Sequence, residues 1–125
     1  MQNEISGGCH CGGVNFKITT QPKSSFLCFC DNCRKLNGGA RLAGLVCDES
    51  ALQTSGQTTI YSYQGGKADI AAHFCKTCGT TVFAIPKAYP GIAVIRMGTL
   101  EDPNAFPPER NTYADQACAW EVLKD

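Results

Sequence analysis

The sequence has no excess of charge of either sign. Among its 125 residues, Lys plus Arg and Asp plus Glu number 11 each, so the formal net charge is zero. Proteins that bind nucleic acid or anionic membranes usually carry a basic surplus. We therefore expect neither nucleic acid nor a membrane as a partner, and favour a small molecule or another protein.

Long apolar runs are also missing. No stretch approaches the roughly 20 apolar residues that a membrane span needs, and no basic segment followed by an apolar run opens the chain. Linkers, low-complexity tracts and internal repeats are absent as well. A chain of 13.4 kDa fits one domain. We expect a single domain over residues 1–125 in the cytoplasm, and nothing in the sequence specifies its oligomeric state.

Cysteine, by contrast, is abundant, with nine residues. In a reducing compartment thiols stay reduced, and an odd number leaves one thiol outside any disulfide framework. Metal ligation fits this composition better than disulfides, and a metal would also stabilise a chain of this size.

Short runs rich in β-branched and aromatic residues predict a mainly β fold. Glycine and proline residues separate these runs at the spacing of hairpins, which indicates antiparallel sheets. Helix signals are weak and limited to residues 31–36 and 117–123, and residues 48–58 and 102–110 are loop-like. The predicted strands cover residues 14–18, 40–47, 59–63, 69–74, 80–85 and 92–97.

Two of the three cysteine clusters predict one closed metal site. Cys75 and Cys78 lie in a Cys-x-x-Cys-Gly turn, which can aim two sulfurs at one ion. The competing interpretation is a redox pair, but that needs a helix start, and the residues that follow are strand-like. A structural zinc takes four ligands, and Cys9 and Cys11 supply the other two. Zinc is favoured over iron because no iron–sulfur spacing is present.

The middle cluster predicts a reactive site. Cys28, Cys30 and Cys33 offer three thiols, and three protein ligands with one open position are typical of catalytic zinc. The open position can bind a substrate thiolate, water or a carbonyl oxygen. In the alternative interpretation Cys47, Cys118 or a histidine completes the set, and the site is structural. Arg34 follows directly and could bind a substrate carboxylate through its guanidinium.

The ordered cysteine motifs carry a family resemblance. Gly-x-Cys-His-Cys-Gly at 7–12, Cys-x-Cys-x-x-Cys-Arg-Lys at 28–35 and Phe-Cys-x-x-Cys-Gly-Thr at 74–80 resemble the glutathione-dependent formaldehyde-activating enzymes, a family that includes centromere-protein-V-like proteins. The resemblance extends through residues 98–103 and Trp120. It implies an Mss4-like β-tent of antiparallel sheets stapled by zinc.

The resemblance also implies two zinc ions and an activity. A structural zinc would bind Cys9, Cys11, Cys75 and Cys78, and a second, catalytic zinc would bind Cys28, Cys30 and Cys33. The implied reaction is that of a carbon–sulfur lyase: glutathione and formaldehyde condense reversibly to S-hydroxymethylglutathione.

Three positions depart from the usual pattern of that family. Phe29 and Asn111 stand where histidine is common, and Ala72 stands where arginine is frequent, so any role of those side chains in relatives is lost here. Two other functions stay open. One is a non-catalytic, zinc-stabilised binding module, and the other is a thiol reductase similar to methionine sulfoxide reductases, with Cys118 as its nucleophile.

Overall fold

The computed structural model describes residues 4–66 and 68–121. This part of the chain is mainly β, as predicted, and none of its helices is long and apolar enough to cross a membrane. One α-helix, α1, covers Asp31–Asn37, and 3₁₀ turns cover Glu49–Ala51, Met97–Thr99 and Ala114–Gln116. The strands are β1 (Ile5–Gly8), β2 (Asn15–Ile18), β3 (Ser24–Cys28), β4 (Leu42–Asp48), β5 (Leu52–Ser55), β6 (Thr59–Gly65), β7 (Ala68–Phe74), β8 (Thr81–Pro86), β9 (Ile92–Arg96) and β10 (Arg110–Thr112).

The smaller sheet has three antiparallel strands in the order β1-β2-β5. Its central strand alternates as a half-buried strand should, since Phe16 and Ile18 are buried while Asn15 and Lys17 are exposed. The sheet therefore covers the core with one face.

The larger sheet has the order β10-β3-β4-β9-β8-β7-β6. Adjacent strands in this sheet are antiparallel except for β10, which runs parallel to β3 with Arg110 opposite Phe26. The larger sheet is therefore mixed at this edge and antiparallel elsewhere, in agreement with the predicted mainly antiparallel architecture. The long connection over residues 97–109 returns the chain beside β3 in the same direction, as a parallel pair requires.

Both sheets contribute side chains to one hydrophobic cluster. Cys9 and Cys75 belong to it as well, so the first predicted metal site borders the core. The most deeply buried members are Val14, Phe16, Ile18, Leu45, Cys47, Ala51, Val82, Ala93 and Ile95.

β1 contacts the segment that follows β9 at Gly7, which forms a bridge with Leu100. A Cβ at Gly7 would lie 2.6 Å from Phe16 Cζ and would also overlap the carbonyl oxygen of Thr99. Glycine is required here because two backbones and a ring approach so closely.

Each predicted strand has a counterpart, and so does the predicted helix at 31–36. That helix, α1, ends at Gly38, whose φ of 75° is left-handed and whose N–H donates to the Arg34 carbonyl. The prediction of a helix over 117–123 is wrong for residues 117–121, which follow a 3₁₀ turn and form no helix. Residues 122 and 123 lie outside the described part.

Candidate metal centres

The first cysteine cluster forms where two turns meet. Cys9 and Cys11 follow β1, and Cys75 and Cys78 follow β7. The backbone N–H of His10 donates to Thr80 Oγ1 at 3.2 Å and so ties the two turns together. The structure thus brings together the four cysteines predicted to share one ion.

The spacing of these sulfurs suits a tetrahedral ion. The Cys11 Sγ lies 3.7 Å from the Cys9 Sγ and 3.6 Å from the Cys75 Sγ, and all four sulfurs lie within 4.8 Å of one another. Four sulfurs at about 2.3 Å from a central zinc would be ~3.8 Å apart. All four cysteines are free thiols, so this cluster can hold a metal ion of the zinc type.

Backbone geometry aims the sulfurs. The N–H of Gly79, with φ 80°, donates to the Cys75 carbonyl at 2.7 Å and closes the turn. In the other turn, the N–H of Val14 donates to Cys9 Sγ at 3.2 Å. Such N–H donors stabilise a thiolate and hold it in position for a metal.

The thiols of this cluster differ in pKa. The Thr80 hydroxyl, 3.2 Å from Cys78 Sγ, and the Thr80 N–H lower the pKa of Cys78 to about 5. The Gly13 N–H favours the thiolate of Cys11, but the neighbouring thiols of Cys75 and Cys9 raise its pKa to about 11. Without metal the cluster therefore holds a thiolate at Cys78 and a protonated thiol at Cys11, and a bound metal would displace that proton.

The second cluster forms where β3 joins α1. Cys28 ends β3, Cys30 caps the helix and Cys33 lies in its first turn. The sulfurs of Cys28 and Cys30 are 3.4 Å apart, the Cys33 N–H donates to Cys30 Sγ at 3.4 Å, and all three sulfurs lie within 4.8 Å of one another. The Cys33 thiol lowers the pKa of Cys28 to about 5, whereas Cys28 and burial raise that of Cys33. This cluster, too, can hold a metal ion.

Within the described residues, no other His, Cys, Asp or Glu joins this second cluster. Cys47 is fully buried in the core, and Cys118 is half-buried outside the cluster. His10 lies beside the first cluster, while His73 is a packed histidine, bonded to Thr58 Oγ1 at 2.8 Å and stacked on Phe83. The structure therefore places none of the predicted alternative ligands at the three cysteines.

Arg34 lies on α1 beside this cluster, and its guanidinium already has a partner. Nη1 donates to Asp31 Oδ1 at 2.8 Å, an interaction that raises the pKa of Arg34. The side chain is 31% exposed. Substrate binding by Arg34 stays a prediction.

Two of the residues at the three unusual positions are packed, and the third is exposed. Phe29 is buried with the Arg41 guanidinium 5.9 Å from its ring centre, and Ala72 is buried in β7. Asn111 is exposed on β10, opposite Leu27.

Reasoning from the sequence missed two side chains near the second cluster. Arg96 is 7% exposed at the end of β9, and Tyr63 lies on β6. Two features of the sequence could have drawn attention to them: Arg96 lies in an otherwise apolar predicted strand, and Tyr63 shares a strand face with Tyr61. Neither indicated proximity to the cysteines, because that depends on strand order.

Comparison with known proteins places the chain in a family. The family model described as "Glutathione-dependent formaldehyde-activating enzyme" matches residues 4–116. A Halomonas elongata protein named "Putative glutathione-dependent formaldehyde-activating enzyme" is 30% identical over 112 residues, which cover 85% of this chain and 71% of the relative. A structural-genomics crystal structure of a Rhodobacter sphaeroides protein has the same fold, with a TM-score of 0.66 and 22% identity over 86% of this chain and 99% of that chain. The chain belongs to the glutathione-dependent formaldehyde-activating enzyme family.

Proposed function

We propose that this protein is a zinc-dependent enzyme that makes and breaks the carbon–sulfur bond between a small thiol and an aldehyde. Glutathione and formaldehyde, with S-hydroxymethylglutathione as their adduct, are the substrates that the family name supports. One observation carries the proposal: three cysteine sulfurs converge at the β3–α1 junction, and the described residues add no fourth donor.

The two clusters would have different roles. Cys9, Cys11, Cys75 and Cys78 would hold a structural zinc, because four protein ligands complete its tetrahedron. Cys28, Cys30 and Cys33 would hold a second zinc, which when bound supplies Lewis acidity and favours the thiolate form of a nearby thiol.

The protein's own residues position the reaction. Helix α1 and the Cys33 N–H fix the three cysteines, so a thiol bound beside them has one orientation toward the aldehyde. In the forward direction the substrate sulfur bonds to the carbonyl carbon, and the proton lost by the thiol is balanced by one gained at the oxygen. In the reverse direction the same carbon–sulfur bond breaks and the aldehyde is released.

This function agrees with the expected partners and compartment. All nine cysteines are free thiols, which fits a reducing cytoplasm and a soluble thiol such as glutathione. Neither nucleic acid nor a membrane is needed.

Metal content and zinc-edge absorption spectra of the purified protein, recorded with and without glutathione, test the proposal. We expect two zinc ions, one of which gains a sulfur ligand, and faster exchange between free formaldehyde and its glutathione adduct by NMR. Cys30→Ser should leave one zinc and abolish the acceleration. Cys118→Ser is the matched control, because Cys118 lies outside both clusters.

Two results would point elsewhere. Two saturated zinc sites without glutathione binding or exchange would indicate a non-catalytic binding module. Reduction of methionine sulfoxide that is lost in Cys118→Ser would indicate a thiol reductase.

A further inference from the structure

Arg96 is a buried cation without an acidic partner. It is 7% exposed, and a charge that is removed from water is costly unless an anion or hydrogen-bond acceptor meets it. Across residues 4–66 and 68–121, ion pairs involve Lys17, Lys23, Arg34 and Arg41, but not Arg96. An anion that binds transiently is a natural partner for such a group.

Strand register places Arg96 on the same sheet face as the second cysteine cluster. Arg96 is opposite Gly44, and Gly44 is opposite Phe26, two residues before Cys28. A Cβ at Gly44 would lie 2.5 Å from Phe26 Cζ and 2.9 Å from Val94 Cγ1, so these two side chains share that face. Arg96 follows Val94 by two residues and Cys28 follows Phe26 by two, so both belong to the same face.

Tyr63 reaches this face from the other end of the sheet. Tyr61 is opposite Ala72, Ala72 is opposite Ala84, and Ala84 is opposite Val94, so these residues share one face of the sheet. Tyr63 follows Tyr61 by two residues and therefore lies on that face as well. The strand end beside it is held to α1, because Asn32 Nδ2 donates to the Gln64 carbonyl at 3.3 Å.

The electrostatics agree with this placement. Burial raises the pKa of Tyr63, the Arg96 charge opposes that rise, and the thiolates of the second cluster add to it. Burial lowers the pKa of Arg96, and Tyr63 and Cys33 oppose that change. The phenol, the guanidinium and the cysteines therefore influence one another electrostatically.

We infer that Tyr63 and Arg96 form an oxyanion-binding site beside Cys28, Cys30 and Cys33, and that its ligand is the oxygen of the thiol–aldehyde adduct. This inference rests on the proposed function and names the residues that would act on the aldehyde side. Arg96 also lines a cavity of about 550 Å³ between the end of α1 and the Gly79–Thr81 segment.

The chemistry requires such a site. As the sulfur bonds to the carbonyl carbon, the carbonyl π electrons move to the oxygen, which becomes an alkoxide before a proton from water reaches it. Arg96 offers N–H donors and a fixed positive charge, and the protonated Tyr63 offers an O–H donor. In reverse, the hydroxyl proton returns to water, the C=O bond re-forms and the thiolate leaves. Loss of one oxyanion donor typically slows an enzyme about 10²- to 10³-fold.

The test compares Arg96→Gln, Arg96→Lys and Tyr63→Phe with the wild type, all zinc-loaded and folded by circular dichroism. Exposed residues of the same sheet supply the controls: Arg110→Gln matches Arg96, and Tyr61→Phe matches Tyr63. Formaldehyde exchange is measured by NMR with glutathione and with 2-mercaptoethanol, which has no carboxylate. Formate binding, followed by calorimetry, reports the oxyanion site without catalysis.

We expect Arg96→Gln and Tyr63→Phe to slow exchange about 10²-fold with both thiols. Thiol affinity should be unchanged, formate binding should weaken at least tenfold, and Arg96→Lys should recover part of each effect. The two controls should behave as the wild type.

Other results separate the possible failures. A loss confined to glutathione, together with weaker glutathione binding, would overturn the inference in favour of a site for the substrate carboxylate. Unchanged exchange and unchanged formate binding in both folded variants would also overturn it. If the wild type binds formate through Arg96 but does not accelerate exchange, the oxyanion site stands and the proposed function fails.

Discussion

Replacing Cys75 by serine should remove much of the stability of the folded protein. The first cluster joins segments far apart in sequence, since Cys11 and Cys75 are 64 residues apart. Closing a loop of that length restricts the unfolded chain by about 4 kcal/mol at 25 °C in the chain-entropy description of cross-links. Because domains of this size are stable by roughly 5–15 kcal/mol, this loss is a large share of the total.

Urea denaturation of the zinc-loaded protein measures this loss. With a slope of about 1–3 kcal/mol/M, a loss of 4 kcal/mol lowers the midpoint by roughly 1.3–4 M. Cys33→Ser is the matched comparison. It removes a sulfur from a cluster contained in residues 28–33, so it opens no long loop and should shift the midpoint far less.

Equal midpoints for Cys75→Ser and Cys33→Ser would refute this reasoning. So would a wild-type midpoint that does not change when a chelator removes the metal. Either result would mean that the contact between the two turns is maintained by packing around Cys9 and Cys75, both of which are buried in the core, and not by a metal cross-link.

Three further predictions follow from the geometry. The zinc affinity of the second cluster should fall about tenfold per unit decrease in pH for each displaced proton, because the raised pKa of Cys33 keeps this thiol protonated at neutral pH. Chelator competition at pH 6, 7 and 8 measures the affinity, and an affinity that does not change with pH would contradict the prediction. In metal-free protein the pKa of Cys28, lowered from 9.0 to about 5 by Cys33, adds stability that is complete above pH 9 and is lost as the pH falls to 5. Denaturation of chelated protein at pH 5.5 and 8 should therefore show greater stability at pH 8. Gly7→Ala should destabilise the protein by about 1–3 kcal/mol, since its Cβ would meet Phe16. A Cβ at Gly98 has no neighbour within 4 Å, so Gly98→Ala should be neutral in the same urea denaturation.

The sequence was most informative where structure depends on local signals. Short runs rich in β-branched and aromatic residues and the Gly38 helix end predicted most of the larger sheet and α1 within a residue or two. Paired cysteines at turns predicted both clusters, because a Cys-x-x-Cys-Gly turn has the same local geometry wherever it occurs.

Strands that depend on distant partners could not be predicted in this way. β1 reads Ile-Ser-Gly-Gly, which resembles a turn. Gly7 is explained by the close approach of Phe16 and Thr99, and Gly8 by that of Asn15 and Val14. β10 has three residues and forms only beside β3, and the Trp120 region lacks the packing surface that would support the expected helix. The convergence of Tyr63 and Arg96 likewise depends on strand order, which a single sequence does not reveal.

The separation of the two clusters has a physical reason. The first borders the core and joins distant turns, so exchanging one of its ligands would loosen the contact between the sheets. The second lies within one short segment on the opposite face of the larger sheet, beside a buried arginine. A ligand can bind and leave there without opening the core. If so, metal loss from the second cluster should abolish chemistry while leaving the fold intact, and metal loss from the first should lower the stability of the whole fold.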